Sequence, residues 1–173
     1  MLALMVLCVF LLGASSQLRG QIARSGAVIL QRREAVAPLD LADGKMVGIE
    51  AISVFEPGAE QNRLLGLRLD WNALGMVGAE RYAYLDLHEI DEVIRALAFM
   101  TTELAHANHP ENVDREGRLR TREGFAVGYF ARGGQVRRYV DWAPGNLRAD
   151  LGEDGFIQLR ERFELARDRL FAD

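Results

Sequence analysis

The chain of 173 residues holds one cysteine, Cys8, and that cysteine lies inside an apolar stretch at the front. An intrachain disulfide is therefore impossible, and neither a paired-cysteine redox motif nor a thiolate zinc site can be assembled. Serine occurs only at positions 15, 16, 25 and 53. None stands in a nucleophile elbow, so serine-based hydrolysis has no candidate nucleophile. There is no glycine-rich phosphate loop of the P-loop or dinucleotide type. Lysine is nearly missing as well: of 21 basic side chains only Lys45 is a lysine. An arginine excess can signal recognition of phosphate or carboxylate through the guanidinium fork. A GC-rich genome produces the same bias, and 25 acidic residues bring the net charge to −4. That balance gives no global pull toward nucleic acid or an anionic membrane.

The front of the chain is oily. Residues 2–12 are almost wholly apolar, Gly13-Ala14-Ser15-Ser16 follow, and the first charged side chain is Arg19. An apolar core of about 7–15 residues trailed by small residues is the pattern of a secretory signal. A membrane span needs about 20 apolar residues. The expectation is a signal peptide over residues 1–16, with Ala14 and Ser16 at the two cleavage-reading positions, and an exported mature chain, periplasmic or extracellular. The alternative is an uncleaved N-terminal anchor, the one route by which a membrane enters the reading. Val6 and Leu7 stand before Cys8 where a lipidation signal wants small residues. The remaining length suits a single domain with a core of its own.

Residues 17–44 read as an irregular leader, punctuated by Gly20, Gly26, Pro38 and Gly44, with Ala27–Leu30 as a short edge strand. From Lys45 onward, over 45–173, the text is that of one α+β domain. Val47, Ile49 and Ala51 alternate with other residues, and Glu56-Pro57-Gly58 ends the run. Leu65, Leu67, Leu69 and Trp71 share one side of a strand, with Gly66, Arg68 and Asp70 on the other. Residues 81–87 predict another strand. Asp86 and Glu89 then have capping-box spacing, and Ile90, Val93, Ile94, Leu97, Met100 and Leu104 recur at helical spacing. A long strand is expected through 118–129, with Arg118, Arg120 and Arg122 on one side and Phe125, Val127 and Tyr129 on the other. Gly133-Gly134 predicts a hairpin turn, 136–142 a returning strand, and 147–151 one more. A closing helix is expected over 155–171 on the stripe Phe156, Leu159, Phe163, Ala166 and Leu170, its charged outer face solvated.

Strands followed by a helix thus occur twice. The D-x-x-E pairs match at an offset of 64 (Asp86 with Asp150), while the helical stripes match at 66 (Ile90 with Phe156). An antiparallel sheet carrying both helices on one face would bury both stripes.

The stretches Tyr84–Ile94 and Thr121–Phe125, together with the closing helix bearing Ala166 and Leu170, resemble a group of small uncharacterised bacterial proteins, many of which look exported. That resemblance covers roughly residues 45–171 and implies no particular activity. The strands-then-helix order is also similar to that of the Whirly and PUR single-stranded nucleic-acid binders, an analogy of architecture alone.

Three sets of side chains are candidates for chemistry. Arg118, Arg120 and Arg122, with Arg68 and Arg138 nearby, would bind phosphate, sulfate or carboxylate, and Tyr82, Tyr84 or Trp142 would add stacking surfaces for single-stranded bases. Export argues against nucleic acid as the partner. Glu103, His106 and His109, three residues apart, could hold zinc, although the order that supplies a general base is missing and His109 sits beside Pro110. His88, in the first helical turn, reads as a surface residue. Asp70, Asp86, Glu89 and Asp91 offer carboxylates for acid–base work, but Asp86 and Glu89 are already engaged as caps. The reading is an exported, non-enzymatic binding or interaction module without a cofactor, for a protein or anionic partner. An anion or single-strand binder and a zinc protein are its alternatives.

Overall fold

The computed structural model describes residues 16–24, 26–42, 44–71, 82–106, 114–142 and 147–172. A short helix α1 (Gln17–Ile22) precedes four strands, β1 (Leu30–Asp40), β2 (Met46–Phe55), β3 (Leu64–Asp70) and β4 (Tyr82–Asp86), which run directly into helix α2 (Leu87–His106). Four more strands follow, β5 (Arg115–Arg120), β6 (Phe125–Arg132), β7 (Gln135–Trp142) and β8 (Leu147–Leu151), and then helix α3 (Gly155–Phe171). Each set of four strands is an antiparallel meander in chain order. The fold is α+β, with two four-stranded sheets in place of the one expected.

Strand registers make the repeat explicit. Ile49, Leu69 and Ala83 lie side by side in the first sheet, as Val127, Val140 and Ala149 do in the second. The offset between equivalent residues shrinks along the chain, from 78 to 71 to 66, because the first half has longer connections. Ile90, Val93 and Leu97 of α2 and Phe156, Leu159 and Phe163 of α3 keep the offset of 66, and all are buried. The offset of 64 suggested by the D-x-x-E pairs is therefore not the structural one. Asp150 pairs with Arg137, and the N-cap of α3 is Asp154, which makes no side-chain cap bond.

The inner faces of both sheets and the stripes of α2 and α3 share one core. At its centre Trp71 stacks on Trp142 with ring centroids 6.2 Å apart, and Phe125 stacks on Phe163 at 6.0 Å. These aromatics come from both halves, so neither half is a closed unit alone. The helices are also tied by charge: Arg167 of α3 reaches Asp91 of α2 at 3.2 Å, and Arg169 pairs with Glu34 of β1. The outer face of α3 is thus partly recruited into tertiary contacts, beside the expected helical pair Arg160–Glu164.

Two expectations fail here. The supposed leader, residues 17–44, carries α1 and the eleven-residue strand β1. Alternation there is blurred because β1 is an edge strand; only Val36 and Leu39 of β1 are buried, on either side of an irregularity near Pro38. The long strand through 118–129 is instead the hairpin β5–β6, turning at Thr121–Gly124. Gly124 takes φ +85°, Thr121 N–H donates to the Phe125 carbonyl at 2.8 Å, and Gly124 N–H donates to the Thr121 carbonyl at 3.0 Å. The predicted turn at Gly133-Gly134 does form, with φ of +57° and +76°.

Candidate functional site

Two polar constellations stand out. The first is a carboxylate junction where α1 meets the domain. Leu18 is fully buried against Ile52 and Val54 on the outer face of the first sheet, with Ile22, Leu64 and Tyr84 around it. It lies over Gly66, where an added Cβ would come within 2.1 Å of the Leu18 Cδ1. Beside this small core, the Asp86 carboxylate accepts from the Gln17 and Leu18 amides at 2.9 and 3.1 Å. Glu123 accepts from the Ser16 amide (3.3 Å), the Ser16 hydroxyl (2.9 Å) and the Tyr84 amide (3.1 Å), and pairs with Arg19 at 2.7 Å. Glu89 accepts from the Asp86 and Arg122 amides at 3.1 and 2.8 Å. Half of the expected capping box is present, since Glu89 serves the Asp86 N–H, but the Asp86 side chain turns to α1.

All three carboxylates are buried. They tolerate burial because backbone N–H groups and the Ser16 hydroxyl supply their hydrogen bonds, and the Arg19 and Arg122 guanidinium groups lie at ion-pair distance from Glu123 and Asp86. The outer edge of β4 is closed by the same groups: Tyr84 N–H is held by Glu123, and the Tyr82 carbonyl accepts from Arg19 at 2.9 Å. Side chains thus occupy the edge where a further strand would pair.

The second constellation is the outer face of the second sheet. Registers place Glu116, Arg118 and Arg120 of β5 on this face with Phe130, Arg137, Tyr139, Asp141, Arg148 and Asp150. Tyr139 is 1% exposed. It crosses Gly128, whose added Cβ would meet its hydroxyl at 2.7 Å, and it stacks on Phe130 at 5.2 Å under the Arg148 guanidinium at 4.0 Å. Burial pushes its phenol above the ordinary value and the Glu116 carboxylate adds to the push, while Arg118 and Arg148 oppose it. Asp141 takes Arg118 at 2.7 and 3.1 Å and Arg148 at 3.1 Å. At the hairpin end of this face a groove of about 850 Å³ is lined by Arg115, Glu116, Phe130, Arg132, Gln135 and Arg137, among others.

The expected arginine set is not assembled. Arg118 and Arg120 share the outer face, but Arg118 is bound to Asp141. Arg138 lies in register with Tyr129 and Leu151 and so projects to the opposite face. Arg122 is in the β5–β6 turn, 3.6 Å from Asp86. Arg68 belongs to the other sheet, held by Glu50 at 2.8 Å and lying 4.2 Å over the Tyr82 ring. Of the zinc candidates, Glu103 lies in the last turns of α2, His106 is its final residue, and His109 is outside the described residues. Among the described residues no group of three or more potential ligands is placed to hold a metal ion. Likewise, no helix among them is long and apolar enough to cross a membrane.

Sequence reasoning missed Glu123 altogether and the use of Asp86 by α1. The one available signal was a glutamate beside a turn glycine, too short a pattern to read. Comparison of the chain with protein-family models, with curated proteins and with solved structures gives no match.

Proposed function

We propose that this chain is an exported, non-enzymatic interaction module whose partner-facing surface is the groove beside Phe130 at the hairpin end of the second sheet. One observation carries the reading. Phe130 is the partly exposed aromatic on a face where Arg118 and Arg148 are paired with Asp141 and Arg137 with Asp150. A large ring beside a concave, mixed polar surface is the composition of an interaction hot spot. Strand β5 borders the groove and is an end strand of its sheet, so an extended polypeptide could add to its edge. The apolar front of the sequence supports delivery across a membrane.

The test is an amide-resolved titration of the purified domain with extended peptides of mixed sequence. Shifts confined to Arg115–Glu116 and Phe130–Arg137, and abolished in Phe130→Ala, support the reading. Shifts elsewhere, or turnover of a substrate in a hydrolase screen, contradict it.

A second reading, an anion or single-strand nucleic-acid binder, draws on the Phe130–Tyr139–Arg148 stack beside Arg118 and Arg120. It requires the ligand to displace Asp141. Salt dependence separates the two: a polyanion releases counterions and its affinity falls steeply with salt, whereas strand addition is nearly salt-independent.

A further inference from the structure

We infer that the apolar front segment is cut off between Ser15 and Ser16, and that the new α-ammonium group of Ser16 becomes the third cation of the buried carboxylate junction. This rests on the export reading above and moves the expected cut by one residue.

Ser16 is 1% exposed and is part of the fold. Its hydroxyl donates to Glu123 and accepts the Arg19 N–H at 3.1 Å, capping α1, and its carbonyl accepts the Gly20 N–H at 3.1 Å. A cut after Ser16 would discard that cap and leave Glu123 without two of its donors. A cut before it keeps both, with Gly13 and Ser15 as the small residues at the reading positions. Charge points the same way. Three carboxylates, Asp86, Glu89 and Glu123, meet two guanidinium groups, Arg19 and Arg122. As a neutral amide, Ser16 N sits 3.3 Å from Glu123 Oε1, long for such a bond. An ammonium at that atom evens the count and supports the shorter contact of a charge-assisted bond, about 2.7–2.9 Å. The precursor, carrying an amide there, lacks this pair and is the less stable of the two forms.

The experiment expresses the full chain in a secreting host and reads compartment and N-terminal residue separately. Exported protein beginning at Ser16 is the expected result. Exported protein beginning at Gln17 or elsewhere overturns the inference and leaves the export reading standing. An intact chain that never leaves the cytoplasm overturns the export reading, and the inference with it. A second measurement compares the chain starting at Ser16 with one carrying an added glycine before it. The extension should lower the melting temperature by roughly 4–8 °C, and by less than about 2 °C in Glu123→Gln. Equal shifts in both backgrounds would overturn the pairing.

Discussion

Leu18→Ala tests whether α1 belongs to the folded domain. Leu18 is fully buried, and its neighbours Ile52 and Val54 belong to the outer face of the first sheet, away from the main core. A buried Leu→Ala change costs about 2–5 kcal/mol, and the spread reflects how far the site can relax. Here the site relaxes easily, because a six-residue helix can shift or detach, and the loss cannot exceed the free energy of docking α1. The lower end applies, about 2–3 kcal/mol, or a fall in melting temperature of roughly 4–12 °C for a chain of this length. Urea denaturation followed by tryptophan fluorescence is a clean assay. Trp71 and Trp142 are buried in the main core, which is separate from the Leu18 cluster, so the signal reports global unfolding. Leu18→Met keeps the volume and should cost less than about 1.5 kcal/mol. A change below about 0.5 kcal/mol in Leu18→Ala would refute the idea that α1 is an integral layer.

Asp141→Ala should destabilise the domain by about 1–3 kcal/mol in chemical denaturation, because two arginines lose a buried shared partner yet still reach water. The same variant should bind inorganic phosphate more tightly by calorimetry than the parent, since Arg118 and Arg148 are released. Tyr139 makes stability fall at high pH. Above about pH 10 the unfolded chain gives up this proton first, so the folded state holds more protons and loses stability as pH rises through its own, higher value. Melting temperatures between pH 8 and 11 should therefore decline more steeply in the parent than in Tyr139→Phe. Gly124→Ala forces a side chain into the left-handed region at the β5–β6 turn and should cost about 1–2 kcal/mol by thermal denaturation.

Much of the scaffold was legible because burial imposes periodicity. The alternation around Leu67, Leu69 and Trp71 and the stripes of α2 and α3 each declare one buried face, and these elements stand where the pattern put them. The β5–β6 turn was not legible. Arg118, Arg120 and Arg122 keep a period of two straight through it, so side-chain pattern alone reads one strand where the backbone reverses. The edge strand β1 has few buried positions to betray it. The candidate sites were less readable still. Whether an arginine is free or held depends on partners far along the chain, such as Asp141 for Arg118 and Glu50 for Arg68. Asp86 and Glu89 were visible as a local cap, whereas the distant Ser16–Leu18 and Glu123 that complete the junction exist only in three dimensions.

The chain just after its apolar front is locked into the domain by buried carboxylates. Hydrogen exchange at the Leu18 amide, which donates to Asp86 at 3.1 Å, measures this most directly. Exchange slowed roughly 100-fold or more relative to an unstructured peptide is the expected result. Exchange at the unstructured rate, with amides of α2 and β6 still protected, would contradict it.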